Sequence, residues 1–438
     1  MPPARGKVPQ ARFKGKIEAR GKHVTGRGGV STKDASSGQL PLDLQQLVLN
    51  IFAHAFPIDS NQLPLTLQQI KKSLYDRDFS SAFGHQDLRE TYAQRWSPSR
   101  ALAYLHIFWK YLPLLPDLKS EARAYREGKG RDEGGVMQAA EETLLSESCL
   151  QTVVGTVKDR EPRQVYRKIV CLGGGAGAEL VALAAYLHNL EANVGADLDL
   201  SNKPPRLNDA SACFECRLID IADWDSLIRM LQRGTTTAPP ISKYASAEAK
   251  ATNHPLVSPD RFAASFMNHD MLSMEPGAGH ALFEDAALVT LMFTLNELYS
   301  KSMSSTTQFL LSLTSSTPVG ALLLVVDSSG TYSTVNIGKD PAARDTAETE
   351  VAGPTDEICM APSELKKYPM QWLLDHTLLD VATVNKSAIA GKAQKSGKDP
   401  KWEKVAAQDS EWFRLNPGLT YPIELEDMRY QMHLYRRL

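Results

Sequence analysis

The sequence predicts an α/β protein: a mostly parallel sheet with helices on both faces, preceded by a helical extension. Three observations predict it. From Val165 onward, short apolar runs rich in β-branched residues alternate with longer segments, the pattern of a parallel sheet with crossover helices. The glycine-rich stretch Gly173-Gly174-Gly175-Ala176-Gly177 joins the first of these strands to the first helix. Before them, residues 40–160 carry apolar side chains mostly at helical spacing.

In chain order, Leu40, Leu44, Leu47, Val48, Ile51 and Phe52 mark a first helix, with Pro41 tolerated in its first turn. Leu65–Tyr75 is a second. Leu88–Leu115 follows, interrupted at Ser97-Pro98-Ser99, where Ser97 can cap a new helix that starts with Pro98. Met137–Val154 is again helical. Strands are expected at Val165–Leu172, Phe214–Ile219, Phe262–Met267, Ala286–Leu295 and Gly320–Asp327. Helices are expected at Ala178–Leu190, Trp224–Gln232 and Ser300–Leu313. Residues Trp412–Leu438 alternate well enough to supply closing antiparallel strands. Four polar stretches near 192–208, 234–257, 339–355 and 384–404 read as surface insertions. The expected domains are a disordered basic arm (1–38), a helical extension (39–160) and an α/β domain (161–438).

Composition is that of a soluble globular chain, 42% hydrophobic and 23% charged. No apolar run approaches the ~18–20 residues a membrane span needs, and no secretory signal is visible at the N-terminus. Five scattered cysteines suggest a reducing compartment. Cys213 and Cys216 have zinc or redox spacing, but no second ligand pair follows; two cysteines on a buried strand is the simpler reading, and no metal is expected. The net charge of −2 hides an asymmetry. Residues 1–33 hold nine Lys or Arg and one acid, so they carry +8 and the remainder −10. Such a Gly- and Pro-rich basic arm suits polyphosphate binding or a nuclear address, with a solubilising tail as the alternative.

The turn carries the functional signal. Glycines after a strand and before a helix let backbone N–H groups approach a nucleotide-like ligand; a purely structural tight turn is the alternative. A nicotinamide dinucleotide is one candidate ligand, but it wants an acid ~20 residues on, at the end of the second strand. Asp197 and Asp199 lie there in a polar stretch without a strand. The second strand comes later and ends at Asp220, a carboxylate placed for a ribose diol. The third strand ends in Asn268-His269-Asp270, suited to an adenine edge, and the fourth in Asn296-Glu297. These strand ends favour S-adenosylmethionine. Each residue could alternatively be a helix or turn cap.

Several stretches together resemble one family: Tyr92–Ala101, the glycine turn with Glu179, Leu218–Trp224, Phe293–Tyr299, Val325–Gly330, Trp412–Arg414 and Tyr421–Tyr430. The chain resembles the fungal S-adenosylmethionine-dependent methyltransferases that act on uridine N3 of large-subunit (25S) ribosomal RNA, in the subgroup with a helical N-terminal extension. The resemblance implies a Rossmann-like class I methyltransferase fold, seven-stranded with the last strand antiparallel. It implies Gly173, Gly175, Gly177 and Glu179 at the cofactor, Asp220 at its ribose and Asp270 near its adenine. Asn296 and Glu297 would face the substrate.

On that reading the substrate is ribosomal RNA or a pre-ribosomal particle, in the nucleus or nucleolus with the cytoplasm also open, and the protein is expected to be monomeric. The proton on uridine N3 needs an acceptor; Asp270, Glu297 and Asp327 are candidates. The target base must be unpaired or extruded. Trp96, Tyr299 and Trp412 could stack on it, against a reading as core residues. Arg95 and Arg100 could contact phosphate, against salt bridging or capping. Other readings are a nicotinamide-dependent oxidoreductase, a non-catalytic RNA-binding ribosome-assembly factor on the same fold, and a protein or small-molecule methyltransferase.

Overall fold

The computed structural model describes residues 40–57, 62–115, 166–193, 212–251, 253–274, 278–330, 332–335, 366–385 and 398–438. All lie in one compact unit, Leu40–Leu438. The basic arm, the Met137–Val154 helix, the 339–355 insertion and most of the 192–208 insertion fall outside the described residues. Among those described, no helix is long and apolar enough to cross a membrane.

Four helices come first: α1 (Leu42–Ala55), α2 (Leu63–Tyr75), α3 (Phe79–Phe83) and α4 (Gln86–Tyr111). The stripe Leu44, Val48, Leu49, Ile51 and Phe52 anchors α1 in the core. The expected break at Ser97-Pro98 does not occur; α4 runs straight through Pro98. Proline has no N–H for the carbonyl four residues back, here Gln94. Tyr421 supplies the missing donor, its Oη giving a 3.1 Å hydrogen bond to Gln94 O. A partner 327 residues away in sequence rescues the helix, which local sequence cannot show.

The α/β portion begins with β1 (Tyr166–Leu172), α5 (Ala178–Asn193), β2 (Cys213–Asp220) and α6 (Asp225–Thr236). It continues with the short helix α7 (Ala247–Ala251), β3 (Phe262–Asn268), α8 (Ala278–Phe283) and β4 (Ala286–Met292). Next come α9 (Leu295–Lys301), α10 (Met303–Ser316), β5 (Leu322–Ser328) and the hairpin β6 (Tyr332–Val335) and β7 (Lys366–Pro369). Helix α11 (Met370–Asp375), β8 (Val384–Asn385), β9 (Lys398–Asp399), β10 (Trp402–Phe413) and β11 (Met428–Arg437) complete it.

One seven-stranded sheet has the order β10-β11-β5-β4-β1-β2-β3. β1 to β5 are parallel, and β11 is antiparallel to both β5 and β10. Central strands read as unbroken apolar runs because both faces are covered. Alternation still sorts them: Leu322, Leu324 and Val326 face the core shared with α1, α4, α5 and α6. Leu323 and Val325 face the opposite core, under α10 and α11.

Three boundaries differ from expectation. The fourth strand stops at Met292, and Leu295 opens α9 instead of closing the strand. The single helix expected over 300–313 is two, separated at Ser302, whose extended backbone and Oγ, accepting from Ser305 N at 3.2 Å, cap α10. The closing strands begin at Trp402 rather than Trp412, inside the stretch read as an insertion. Trp402 is buried and donates its indole N–H to Thr314 Oγ1 at 2.8 Å. β10 is an edge strand, so polar residues on it can face solvent, and its pattern resembles a loop. The 234–257 insertion likewise returns to the core: Leu256 and Val257 are buried, and Val257 N bonds Thr235 O. Cys213 and Cys216 are buried on β2, as expected.

Candidate active site

A cavity of ≈ 620 Å³ opens along the carboxyl ends of the parallel strands, where ligands bind in open α/β sheets and within the usual size of a small-molecule site. Its floor is the turn after β1. Gly173 has φ +77°, a left-handed backbone, and a Cβ there would fall inside the Thr294 side chain. Gly175 stands back from the cavity. A Cβ on it would meet the Trp224 indole, 2.5 Å from Cγ, so this glycine lets Trp224 pack against the turn. Gly174 and Gly177 line the cavity beside Gly173.

Asp220, the last residue of β2, faces the cavity. Gly175 N donates to its Oδ2 and Ala222 N to its Oδ1, both at 3.1 Å. Burial raises its pKa, and the two backbone N–H groups oppose that shift. Asn268 braces the same corner by donating Nδ2 to Asp220 O and Ile221 O. The carboxylate is therefore fixed by backbone donors and keeps lone pairs for a diol.

Glu179, buried in the first turn of α5, also lines the cavity, with Oε1 accepting from Thr290 Oγ1 at 2.6 Å. Burial pushes its pKa up to about 7, against that hydrogen bond. Because the folded-state pKa exceeds the ordinary 4.5, the folded form holds the proton more tightly. Stability therefore falls as pH rises from about 4.5 to 7 and the cost of an ionised buried carboxylate is complete above it. Glu179→Gln is expected to flatten that slope and to be more stable than the parent above pH 7, by up to about 3 kcal/mol at 1.36 kcal/mol per pKa unit. Urea unfolding at pH 5 and pH 8 checks this; an unchanged slope would refute it.

At the β3 end, Asp270 is already engaged. Its Oδ1 accepts from Leu272 N at 3.1 Å and its Oδ2 pairs with Lys301 Nζ at 2.6 Å. It also lines the cavity. At the β4 end, Asn296 and Glu297 open α9 and also line the cavity. Asn296 N donates to Asp327 Oδ2 at 3.1 Å, and Glu297 pairs with Arg77 Nη1 at 3.3 Å. Burial raises the Glu297 pKa, with Arg77 opposing. Asp327, buried at the end of β5, is pushed up to about 6 by burial, against donors from Asn296 N and Ser328 N. Phe293, between β4 and α9, has φ +59°, a strained backbone held where the cavity is built.

The roof comes from the helical extension. Ser97 Oγ donates to Ala176 O of the turn at 2.8 Å. Arg100, on the same face of α4, reaches the cavity, donating to Tyr92 Oη at 2.6 Å. Its guanidinium lies 4.9 Å from the Phe293 ring centroid. Burial works against its charge, but Tyr92, Tyr104 and Asp327 outweigh burial and raise its pKa. Phe83 packs on Tyr92 and Trp224.

The remaining sequence candidates lie elsewhere. Arg95 pairs with Glu426, the salt-bridge alternative. Trp96 packs on Tyr92, 4.8 Å between centroids, and does not line the cavity. Tyr299 is buried in the core under the sheet, because its position on α9 turns it away from the cavity. Trp412 is 51% exposed on the edge strand, with Arg414 4.1 Å above its ring. The sequence reading missed the roof residues Arg77, Phe83, Tyr92 and Tyr104. Only tertiary packing brings them over the turn; the one local clue was the Arg95–Arg100 stretch.

The residues fit an adenosyl cofactor: a backbone cradle closed to any Cβ, and a carboxylate at the end of the second strand. The chain is 27% identical over 372 residues to the 25S rRNA (uridine(2843)-N(3))-methyltransferase of Saccharomyces cerevisiae, covering 83% of this chain and 75% of that one. Solved structures similar to it include a SAM-dependent methyltransferase from Methanosarcina mazei (TM-score 0.29, 10% identity, 62% of this chain and 93% of that one). Another is an S-adenosylmethionine-dependent methyltransferase from Clostridium acetobutylicum ATCC 824 (TM-score 0.24, 9% identity, 76% and 97%). The fold itself is assigned by the strand order, with its reversed last strand inserted between β5 and β10. Residues 52–436 match the model of the SAM-dependent methyltransferase family Methyltransf_34, and the chain belongs to that family.

Proposed function

We propose that this protein methylates N3 of a uridine in large-subunit (25S) ribosomal RNA. One observation of the structure carries the reading. The cavity runs from the ribose-type carboxylate Asp220 to Asn296 and Glu297, which leaves an amide and a partly buried carboxyl at the end away from the nucleoside. The yeast relative's activity supports the choice of base and atom.

S-adenosylmethionine supplies a methyl group already activated on sulfur. Asp220 accepts hydrogen bonds from the ribose hydroxyls, and the turn holds the nucleoside end. Asn296 presents an amide that can pair with the uracil edge. Glu297 would take the proton that leaves N3 as that nitrogen accepts the methyl group the cofactor would supply. A carboxyl whose pKa is raised toward working pH is the better acceptor. The roof of α2–α4 keeps water from the methyl group. N3 lies on the pairing edge, so the target uridine is unpaired or extruded when it enters. The basic arm would add sequence-independent phosphate affinity and direct a monomeric enzyme to the nucleus or nucleolus.

Glu297→Gln is expected to lower the methyl-transfer rate by about 10²- to 10⁴-fold while S-adenosylhomocysteine affinity stays unchanged. Nucleoside mass spectrometry of unmethylated 25S rRNA after incubation with enzyme and cofactor reads 3-methyluridine directly. A parent enzyme that binds cofactor but forms no 3-methyluridine would remove the substrate assignment and favour the assembly-factor reading. Full activity in Glu297→Gln would remove only the proton acceptor.

A further inference from the structure

Two arginines line the cavity, Arg77 and Arg100. Arg77, Arg95, Arg217, Arg261 and Arg414 each pair with a carboxylate. Arg100 forms no such ion pair among the described residues; its single hydrogen bond goes to the Tyr92 hydroxyl, and aromatic rings of Tyr92 and Phe293 flank it. A guanidinium has five N–H donors, so Arg100, half-buried in the cavity wall, keeps donors for an anion that enters.

Position narrows what it is. Ser97, one turn earlier on α4, is bonded to Ala176 of the glycine turn. Phe293 immediately precedes Thr294, whose side chain occupies the space above Gly173. The guanidinium therefore sits over the turn, inside the cavity. Two ion pairs already line the cavity, Arg77–Glu297 and Lys301–Asp270. Asp327 lines the same cavity, held by two backbone N–H groups and not paired with Arg100. A cation and an anion kept apart, both facing one space, complement a zwitterion. An RNA phosphate or a uracil offers no matching cationic group.

We propose that Arg100 and Asp327 clamp the amino-acid end of S-adenosylmethionine, the guanidinium taking its carboxylate and Asp327 its ammonium. The helical extension is then part of the cofactor site. This inference rests on the cofactor and stands whichever substrate is methylated.

Calorimetry on the full chain tests it without turnover. The parent is expected to bind S-adenosylmethionine about 10- to 100-fold more tightly than decarboxylated S-adenosylmethionine, the value of a charged hydrogen-bonded contact. Arg100→Met should weaken S-adenosylhomocysteine by a similar factor. It should leave 5′-methylthioadenosine, which lacks the amino-acid end, within about two- to threefold; retained binding of that nucleoside also shows that the variant is folded. Arg100→Lys should recover part of the loss, because a point charge replaces a fork. Equal parent affinity for the two sulfonium compounds would overturn the proposal with no variant needed. So would an Arg100→Met loss that is the same for both thioethers, which would mark a structural role. So would an unchanged S-adenosylhomocysteine affinity with weakened RNA binding, which would assign the guanidinium to the substrate.

Discussion

Asp220→Ala is expected to weaken S-adenosylmethionine binding by about 100- to 10,000-fold. The carboxylate would accept two hydroxyl hydrogens, and hydrogen bonds to a charged group are worth about 1.5–3 kcal/mol each. The substitution also strips Gly175 N and Ala222 N of the acceptor that fixes the turn. Asp220→Asn keeps one acceptor oxygen and should fall between. Calorimetric titration measures both, and thermal unfolding without cofactor separates lost contacts from a damaged fold. An unchanged dissociation constant in Asp220→Ala would sink the ribose assignment while leaving family membership untouched.

Gly173→Ala is expected to cost about 2–5 kcal/mol of stability and to abolish measurable cofactor binding. Holding a non-glycine residue at φ +77° costs about 1–2 kcal/mol, and forcing a methyl into a packed site costs about 1–3 kcal/mol more. The overlap is with Thr294, at the N-cap of α9. Displacing it shifts Asn296 and its bond to Asp327, so the damage spreads across the cavity. Adding Thr294→Ala removes the overlapping Oγ1 and Cγ2 but not the backbone strain. The double variant should therefore recover part of the stability. No recovery in a urea titration would mean that the overlap is not the cause.

The parallel core was legible because buried strands leave apolar runs that polar segments separate. Leu322–Val326 could be nothing else, and the carboxyl ends of β2, β3 and β4 then placed Asp220, Asp270 and Asn296-Glu297 on one edge. What sequence hid was settled at long range. Pro98 reads as a helix breaker, and only Tyr421 makes it harmless. β10 reads as polar coil, and only its place at the edge explains it. Arg100 could be read as a phosphate contact or a surface cap. Its burial over the glycine turn depends on how α4 docks, which no local pattern records. Tyr299 shows the converse: it adjoins residues of the site, but the helix turns its ring away from the cavity.

The strand order also sets a schedule for biosynthesis. β11, the last of the described strands in sequence, is not an edge of the sheet but lies between β5 and β10, and the donor that repairs α4 at Pro98 lies at Tyr421. A ribosome emitting this chain at about 5–20 residues per second exposes β5 long before its neighbour exists. β5 must wait until β11 has left the exit tunnel, and the backbone of Gln94 until Tyr421 has. The nascent chain therefore carries an open, strongly apolar strand edge for several seconds, which makes β11 the segment whose loss chaperones would have to manage.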